Sequence, residues 1–229
     1  MPEKIRVTIL DDHQSIVDGY CYRLEREPNV AVAATIMRGD ELGPTLEKHP
    51  TDVLLLDVNV PASKDNPNPY PILHVIPQLL QRYPDLAIIV ISMYAERALI
   101  RSVMEAGASG YILKDDADAI RDLGNILKSV AAGGVFFSQT AHQLYVDYLS
   151  KSGGKELLTG RQREALSLAA AYPDDTSAEL GQKMGIGNST IRNLLTGAYV
   201  KLGVHTRAAA IAKARQMGII TPSDPPIAS

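Results

Sequence analysis

Residues 52–57 read DVLLLD, four apolar side chains bounded by aspartates. Val53, Leu54, Leu55 and Leu56 show no polar alternation, so both faces of this strand are covered. Such strands belong to parallel sheets with helices on either side. Toward the N-terminus, KIRVTIL (4–10) is a strand ending at Asp11 and Asp12. A helix follows it, with Ile16, Val17, Tyr20, Cys21 and Leu24 at helical spacing, and then a second strand, VAVAAT (30–35). Toward the C-terminus, LAIIVIS (86–92) is a fourth strand, again apolar throughout. Leu99, Ile100, Val103 and Met104 mark a helix stopped at Ala106-Gly107, and GYILK (110–114) is a fifth strand. A last helix carries Ile120, Leu123, Ile126, Leu127 and Val130 and ends at Gly133-Gly134. Strand and helix alternating five times predict an α/β fold, a doubly wound five-stranded parallel sheet.

The chain has 229 residues, 45% of them apolar, enough for two cores. From Leu157 to about Thr221 the periodicity is helical only, so a small all-α domain follows the sheet. The expected division is 1–132 for the sheet domain, 133–155 for a linker, 156–221 for the helical domain and 222–229 for a disordered tail. The linker contains a short helical stretch, AHQLYVDYL, and then SKSGGKE, flexible by composition. No run of 18 apolar residues is present, so no membrane span is expected. The single cysteine, Cys21, excludes a disulfide framework and fits a cytoplasmic protein.

The net charge of −3 conceals an asymmetry. Residues 1–150 hold 13 Lys/Arg against 20 Asp/Glu, whereas residues 151–229 hold 10 against 6. The basic half is the candidate for an anionic polymer.

The C-terminal ends of parallel strands converge on the functional crevice of a doubly wound sheet. Asp11 and Asp12 follow the first strand, Asp57 closes the third, Ser92 the fourth and Lys114 the fifth. An aspartate at one strand end is commonly a helix cap. Three acids, a hydroxyl and a lysine at successive strand ends are not explained by capping. Crowded carboxylates call for a cation, and Mg²⁺ with oxygen ligands suits them. Asp57 is the candidate nucleophile for a phosphoryl group, with Mg²⁺ and a lysine offsetting the transferring charge. The enzyme alternative, a hydrolase passing through an aspartyl phosphate, needs a general acid two residues beyond the nucleophile. Asn59 stands there and cannot serve, so no enzyme is expected.

ILDDHQSIVDGY, DVLLLDVNVP, IIVISMYAE and EAGASGYILKD together resemble the receiver domain of two-component response regulators, a flavodoxin-like fold. The resemblance implies Mg²⁺ held directly by Asp12, Asp57 and the backbone carbonyl of Asn59, and by Asp11 through water. It implies that Asp57 is phosphorylated by a histidine kinase and that Lys114 pairs with the acyl phosphate. Ser92 and Tyr111 match the pair that rearranges on phosphorylation, with Tyr111 half-buried at rest. One segment departs from the family. After Asp57 the chain reads VNVPASKDNPNPYPILHVI, with no glycine and five prolines from Pro61 to Pro77. Such a loop can shield the site, alter kinase recognition or hold an unusual resting state.

In the basic half, TSAELGQKMGIGNSTIRNLLTGAYVKLGV reads as helix, glycine-containing turn, helix. The first helix starts near Thr176 or Ser177 and turns Leu180 and Met184 inward. The second, capped by Ser189, buries Ile191, Leu195, Tyr199 and Leu202. With LTGRQREALSLAA before it and HTRAAAIAKARQMGII after it, the region resembles the LuxR-type helix-turn-helix domain of the NarL/FixJ class. That implies base-facing Arg192, Asn193 and Thr196, with Lys201, Thr206 and Arg207 near the DNA backbone, and a dimerisation helix from Arg207 to Met217. One arginine and no lysine before Lys201 imply modest DNA affinity. The expected function is a phosphorylation-controlled transcription regulator binding double-stranded DNA as a homodimer. Its alternative is an atypical regulator controlled by a partner or ligand in place of phosphorylation.

Overall fold

The computed structural model describes residues 4–151 and 157–222. Residues 152–156 and 223–229, read above as flexible linker and tail, lie outside the described residues. The sheet is formed by β1 (Ile5–Leu10), β2 (Val30–Ile36), β3 (Val53–Asp57), β4 (Ala87–Ser92), β5 (Gly110–Leu113) and β6 (Phe136–Phe137). Its order is β2-β1-β3-β4-β5-β6, and every pairing is parallel. The five expected strands are present, and β6 extends them by two residues from the stretch read as a connection. Nothing in Phe136-Phe137 signals a strand, because two residues carry no readable alternation.

The central strands show why DVLLLD decides the fold. Leu54 and Leu56 enter one apolar layer and Val53 and Leu55 the other, all four no more than 1% exposed. One layer is covered by α1 (Gln14–Leu24), α5 (Ala117–Arg121) and α6 (Leu123–Ala131). The opposite layer lies under α2 (Leu42–Lys48), α3 (Ile72–Arg82), α4 (Arg97–Glu105) and α7 (Gln139–Lys151). Phe137, Ala141, Leu144 and Tyr145 join this layer, so part of the stretch read as linker packs into the sheet domain. No helix among the described residues is long and apolar enough to cross a membrane.

The proline-rich segment is an ordered flap. Ala62 N–H donates to Asn68 O (2.9 Å), Ser63 N–H to Asn66 O (3.1 Å) and Tyr70 N–H to Val60 O (2.8 Å), and Pro61 bridges Pro69 in antiparallel sense. Prolines supply no donors here, and the remaining N–H groups close the hairpin. The flap is anchored by Gly39 N–H to Pro61 O (2.9 Å) and Asp40 N–H to Ala62 O (2.8 Å). A Cβ on Gly39 would overlap the Tyr70 ring. Gly39→Ala is therefore expected to lower stability by about 1–3 kcal/mol through overpacking, read as a lower urea midpoint; an unchanged midpoint would show that Tyr70 is not held there.

The helical region comprises α8 (Gly160–Ala171), α9 (Ser177–Lys183), α10 (Asn188–Leu202) and α11 (Arg207–Gln216) around a third core. Side-chain caps fix three starts. Thr159 pairs with Gln162 and Thr176 with Glu179 in capping boxes, and Thr206 accepts from Ala209 N–H. α9 begins where its sequence predicts. α10 begins at Asn188 with Gly187 as cap, so Ser189 lies inside the helix and the expected cap is corrected. Ile191, Leu195 and Leu202 are buried, while Tyr199 is half-buried. α8 packs against α3 and α4, and Ala98 of α4 contacts the third core.

Candidate functional site

β1 is flanked by β2 and β3, so the winding direction reverses between β1 and β3, and a crevice opens beyond their C-terminal ends. The acidic residues lie there. Lys114 Nζ sits 2.7 Å from Asp11 Oδ2 and 2.8 Å from Asp57 Oδ2. Asp11 and Asp57 are 1% and 5% exposed. Asp12 is half-buried, its Oδ1 2.7 Å from His13 Nδ1, and His13 N–H donates to Asp11 Oδ1 at 3.0 Å. Ligand atoms of Asp11, Asp12, His13 and Asp57 all lie within 4.8 Å of one another.

Burial pushes the Asp57 carboxyl above the ordinary carboxylate range. Lys114 and the Asn59 backbone N–H oppose that rise, and Asp11 adds to it. For Lys114 burial acts downward, yet Asp57 and Asp11 outweigh it and the ammonium pKa rises. Tyr20, packed behind the site, is pushed up by burial and by the same two aspartates. One lysine offsets one of three carboxylates, and the donor set is rich in hard oxygen. The residues present therefore fit a small dication.

Ser92 is fully buried at the end of β4, and its Oγ accepts from Tyr94 N–H at 3.0 Å. Tyr111 was expected half-buried. It is 0% exposed, and its hydroxyl donates to Tyr94 O at 2.7 Å. The physical reason is the cover supplied next to β5. Ser138 N–H donates to Tyr111 O at 3.0 Å, and Tyr111 shares an apolar layer with Phe137 and Ala141.

On α10, Arg192, Asn193 and Thr196 are all exposed on the outer face. The three residues expected near the DNA backbone have partners inside the chain. Lys201 Nζ donates to Gln162 Oε1 (3.0 Å), Thr206 caps α11, and Arg207 Nη1 donates to Asp175 O (2.5 Å). Gln162 also lies close to Gly197, an unfavourable residue inside a helix. A Cβ there would lie 2.7 Å from Gln162 Nε2. His13 directly follows Asp11-Asp12, and that adjacency is the signal for its place in the cluster. No comparable signal marks Gln162, because only the tertiary packing of α8 on α10 brings it to Lys201.

Residues 7–124 match the response regulator receiver domain family. The chain belongs to this family. The transcriptional regulatory protein DegU of Brevibacillus brevis is 30% identical over 236 residues, covering 94% of each chain. Among solved structures, the RcsB response regulator of Salmonella typhimurium is similar at 25% identity and a TM-score of 0.57, covering 92% of this chain and 97% of that one. A structure of two RcsB dimers bound to two parallel DNAs is similar at 25% identity and a TM-score of 0.56, covering 92% and 98%. Similarity over nearly the full length includes both the sheet and the helical region.

Proposed function

We propose that this response regulator is a phosphorylation-controlled transcription regulator, with residues 1–132, extended by β6 and α7 of the same sheet unit, as receiver and 156–221 as DNA-binding domain. The observation that carries the reading is the contact of Lys114 with both Asp11 and Asp57 at the switch point of the sheet. Asp57 is the phosphoacceptor. One of its carboxylate oxygens attacks the phosphorus of a phosphohistidine on a kinase. The P–N bond breaks, and its electron pair leaves with the imidazole. Lys114 balances charge on the transferring group. Asp12, Asp57 and the carbonyl of Asn59 would hold Mg²⁺ directly and Asp11 through water. Bound there, Mg²⁺ supplies charge neutralisation for phosphoryl oxygens. Ser92 Oγ then donates to a phosphoryl oxygen in place of its role toward Tyr94, and Tyr111, bonded to the Tyr94 carbonyl, responds.

The basic region acts on DNA. The relatives' regulatory names and the RcsB dimers on DNA support this reading, in which the protein acts as a homodimer in the cytoplasm. Arg192, Asn193 and Thr196 are free to reach base edges from the N-terminal half of α10. Lys201, Thr206 and Arg207 are placed near the DNA backbone, and their intramolecular bonds must loosen or be shared there. Control by a partner in place of phosphorylation is less favoured, because Asp57 and its lysine already meet. Arg192→Ala is expected to weaken binding by about tenfold in a fluorescence-anisotropy titration with duplex DNA at low salt. Equal affinity in wild type and variant would remove α10 as the reading helix.

A further inference from the structure

We propose that the proline-rich flap and the first turns of α3 form an interdomain strap through which the state of Asp57 is felt at α8. The inference rests on the reading of Asp57 as phosphoacceptor.

Three polar links from three receiver elements converge on α8. From the flap, Asn66 Nδ2 donates to Ala171 O at 2.8 Å. Ala171 is the last residue of α8, and such terminal carbonyls lack an intrahelical partner. The amide of Asn66 is aimed by its own neighbours. Its Oδ1 accepts from Asn68 N–H (3.1 Å) and Asn68 Nδ2 (2.8 Å), which leaves its NH₂ pointing outward. From α3, His74 is buried with Nε2 3.0 Å from Gln78 Nε2 and Nδ1 2.8 Å from Glu164 Oε1. An amide nitrogen only donates, so Nε2 accepts and the Nδ1 proton is given to Glu164. Arg161 Nη1 holds the other oxygen of Glu164 at 2.9 Å, and burial acting upward on Glu164 is outweighed by His74 and Arg161. From α4, Glu105 pairs with Arg163, whose Nη1 also donates to Leu158 O at 3.0 Å. A cavity of about 210 Å³ lies between α3, α4 and α8, lined in part by Pro77, Glu105 and Arg163. The interface is thus specified by directed, largely buried polar bonds, with a solvent-open cleft beside them. Buried polar pairs of this kind fix orientation more than they add strength.

The strap begins beside the phosphorylation site. Val58 and Val60 are fully buried between Asp57 and the flap, and Val60 O is bonded by Tyr70 N–H. A charge added at Asp57 that shifts this segment is passed to Asn66 and His74 through the hydrogen-bonded hairpin. The recognition residues Arg192, Asn193 and Thr196 remain exposed while the strap is closed. The strap therefore restrains the orientation of the helical unit and does not cover its reading face.

The test compares wild type with the double variant Asn66→Ala/Glu164→Ala, which removes both the donor to Ala171 O and the acceptor of the His74 Nδ1 proton, in the full chain, by hydrogen exchange over residues 61–74 and 160–172 and by the radius of gyration in solution. Without a phosphodonor, the variant is expected to exchange about tenfold faster in both segments and to have the larger radius. Wild type given Mg²⁺ and acetyl phosphate is expected to show the same change, and Asp57→Asn is expected to show none. A variant with wild-type exchange and radius would overturn the strap, as would a fully labelled wild type with unaltered exchange. A wild type that takes no label contradicts the phosphoacceptor reading instead, and the variant arm then decides the strap alone.

Discussion

Asp57→Asn is expected to abolish the hydroxylamine-sensitive label that wild type acquires from Mg²⁺ and acetyl phosphate. The loss is complete because no other group takes over. Asp11 is bonded to Lys114 and to the His13 N–H, and Asp12 stands at the rim against His13. An amide keeps the shape of Asp57 and can still accept from Lys114, so the variant folds. Burial raises the Asp57 carboxyl pKa, which means that folding penalises its charged form. The sign follows from that shift. The penalty is absent at pH values below the unfolded carboxylate pKa and grows as pH rises toward the folded value. Removing the charge therefore does not lower the neutral-pH melting temperature. Intact-protein mass spectrometry reads the label, and thermal denaturation reads the fold. A label that persists in Asp57→Asn would assign the chemistry to another residue.

Lys114→Met is expected to have the larger effect on stability. The lysine side chain is 6% exposed and is the cation shown touching both buried aspartates. Removing one partner of a buried ionic cluster leaves uncompensated charge, a loss of about 3–5 kcal/mol. The destabilisation is expected in chelator and to be partly reversed by millimolar Mg²⁺, because a dication offsets the same carboxylates. Wild type should gain less from Mg²⁺ than the variant, since its lysine already occupies part of that role. Urea denaturation with and without Mg²⁺ measures both differences. Equal Mg²⁺ gains in the two proteins would place the cation away from Asp11 and Asp57.

The sheet was legible because its signal is local. Four consecutive apolar residues before Asp57 and seven-residue LAIIVIS before Met93 can only be covered on both faces, and the alternation of strand and helix leaves one economical topology. The acidic site was legible for the same reason: strand ends converge wherever the sheet is parallel. β6 was not legible, because a two-residue strand is defined by its neighbour, β5, and not by its own pattern. The burial of Tyr111 follows from that hidden cover. The docking role of the flap was also out of reach. Its prolines announce stiffness, but the bonds from Asn66 to Ala171 and from His74 to Glu164 join residues 105 and 90 positions apart. In the helical region the start of α9 at Thr176 could be read from residue type and spacing, whereas the family resemblance places Thr206 only near the DNA backbone and its capping of α11 emerges with the structure. The engagement of Lys201 by Gln162 depends on how α8 crosses α10, which no periodicity records.

The most direct measurement is a single anisotropy titration of labelled duplex DNA at low salt, run on wild type and Asp57→Asn, each before and after treatment with Mg²⁺ and acetyl phosphate. The account predicts binding by wild type that tightens about tenfold on phosphorylation, a coupling of about 1.4 kcal/mol, and an Asp57→Asn titration that does not move. Wild-type affinity that is unchanged by a confirmed phosphoryl group, or that is absent in both states, would contradict it.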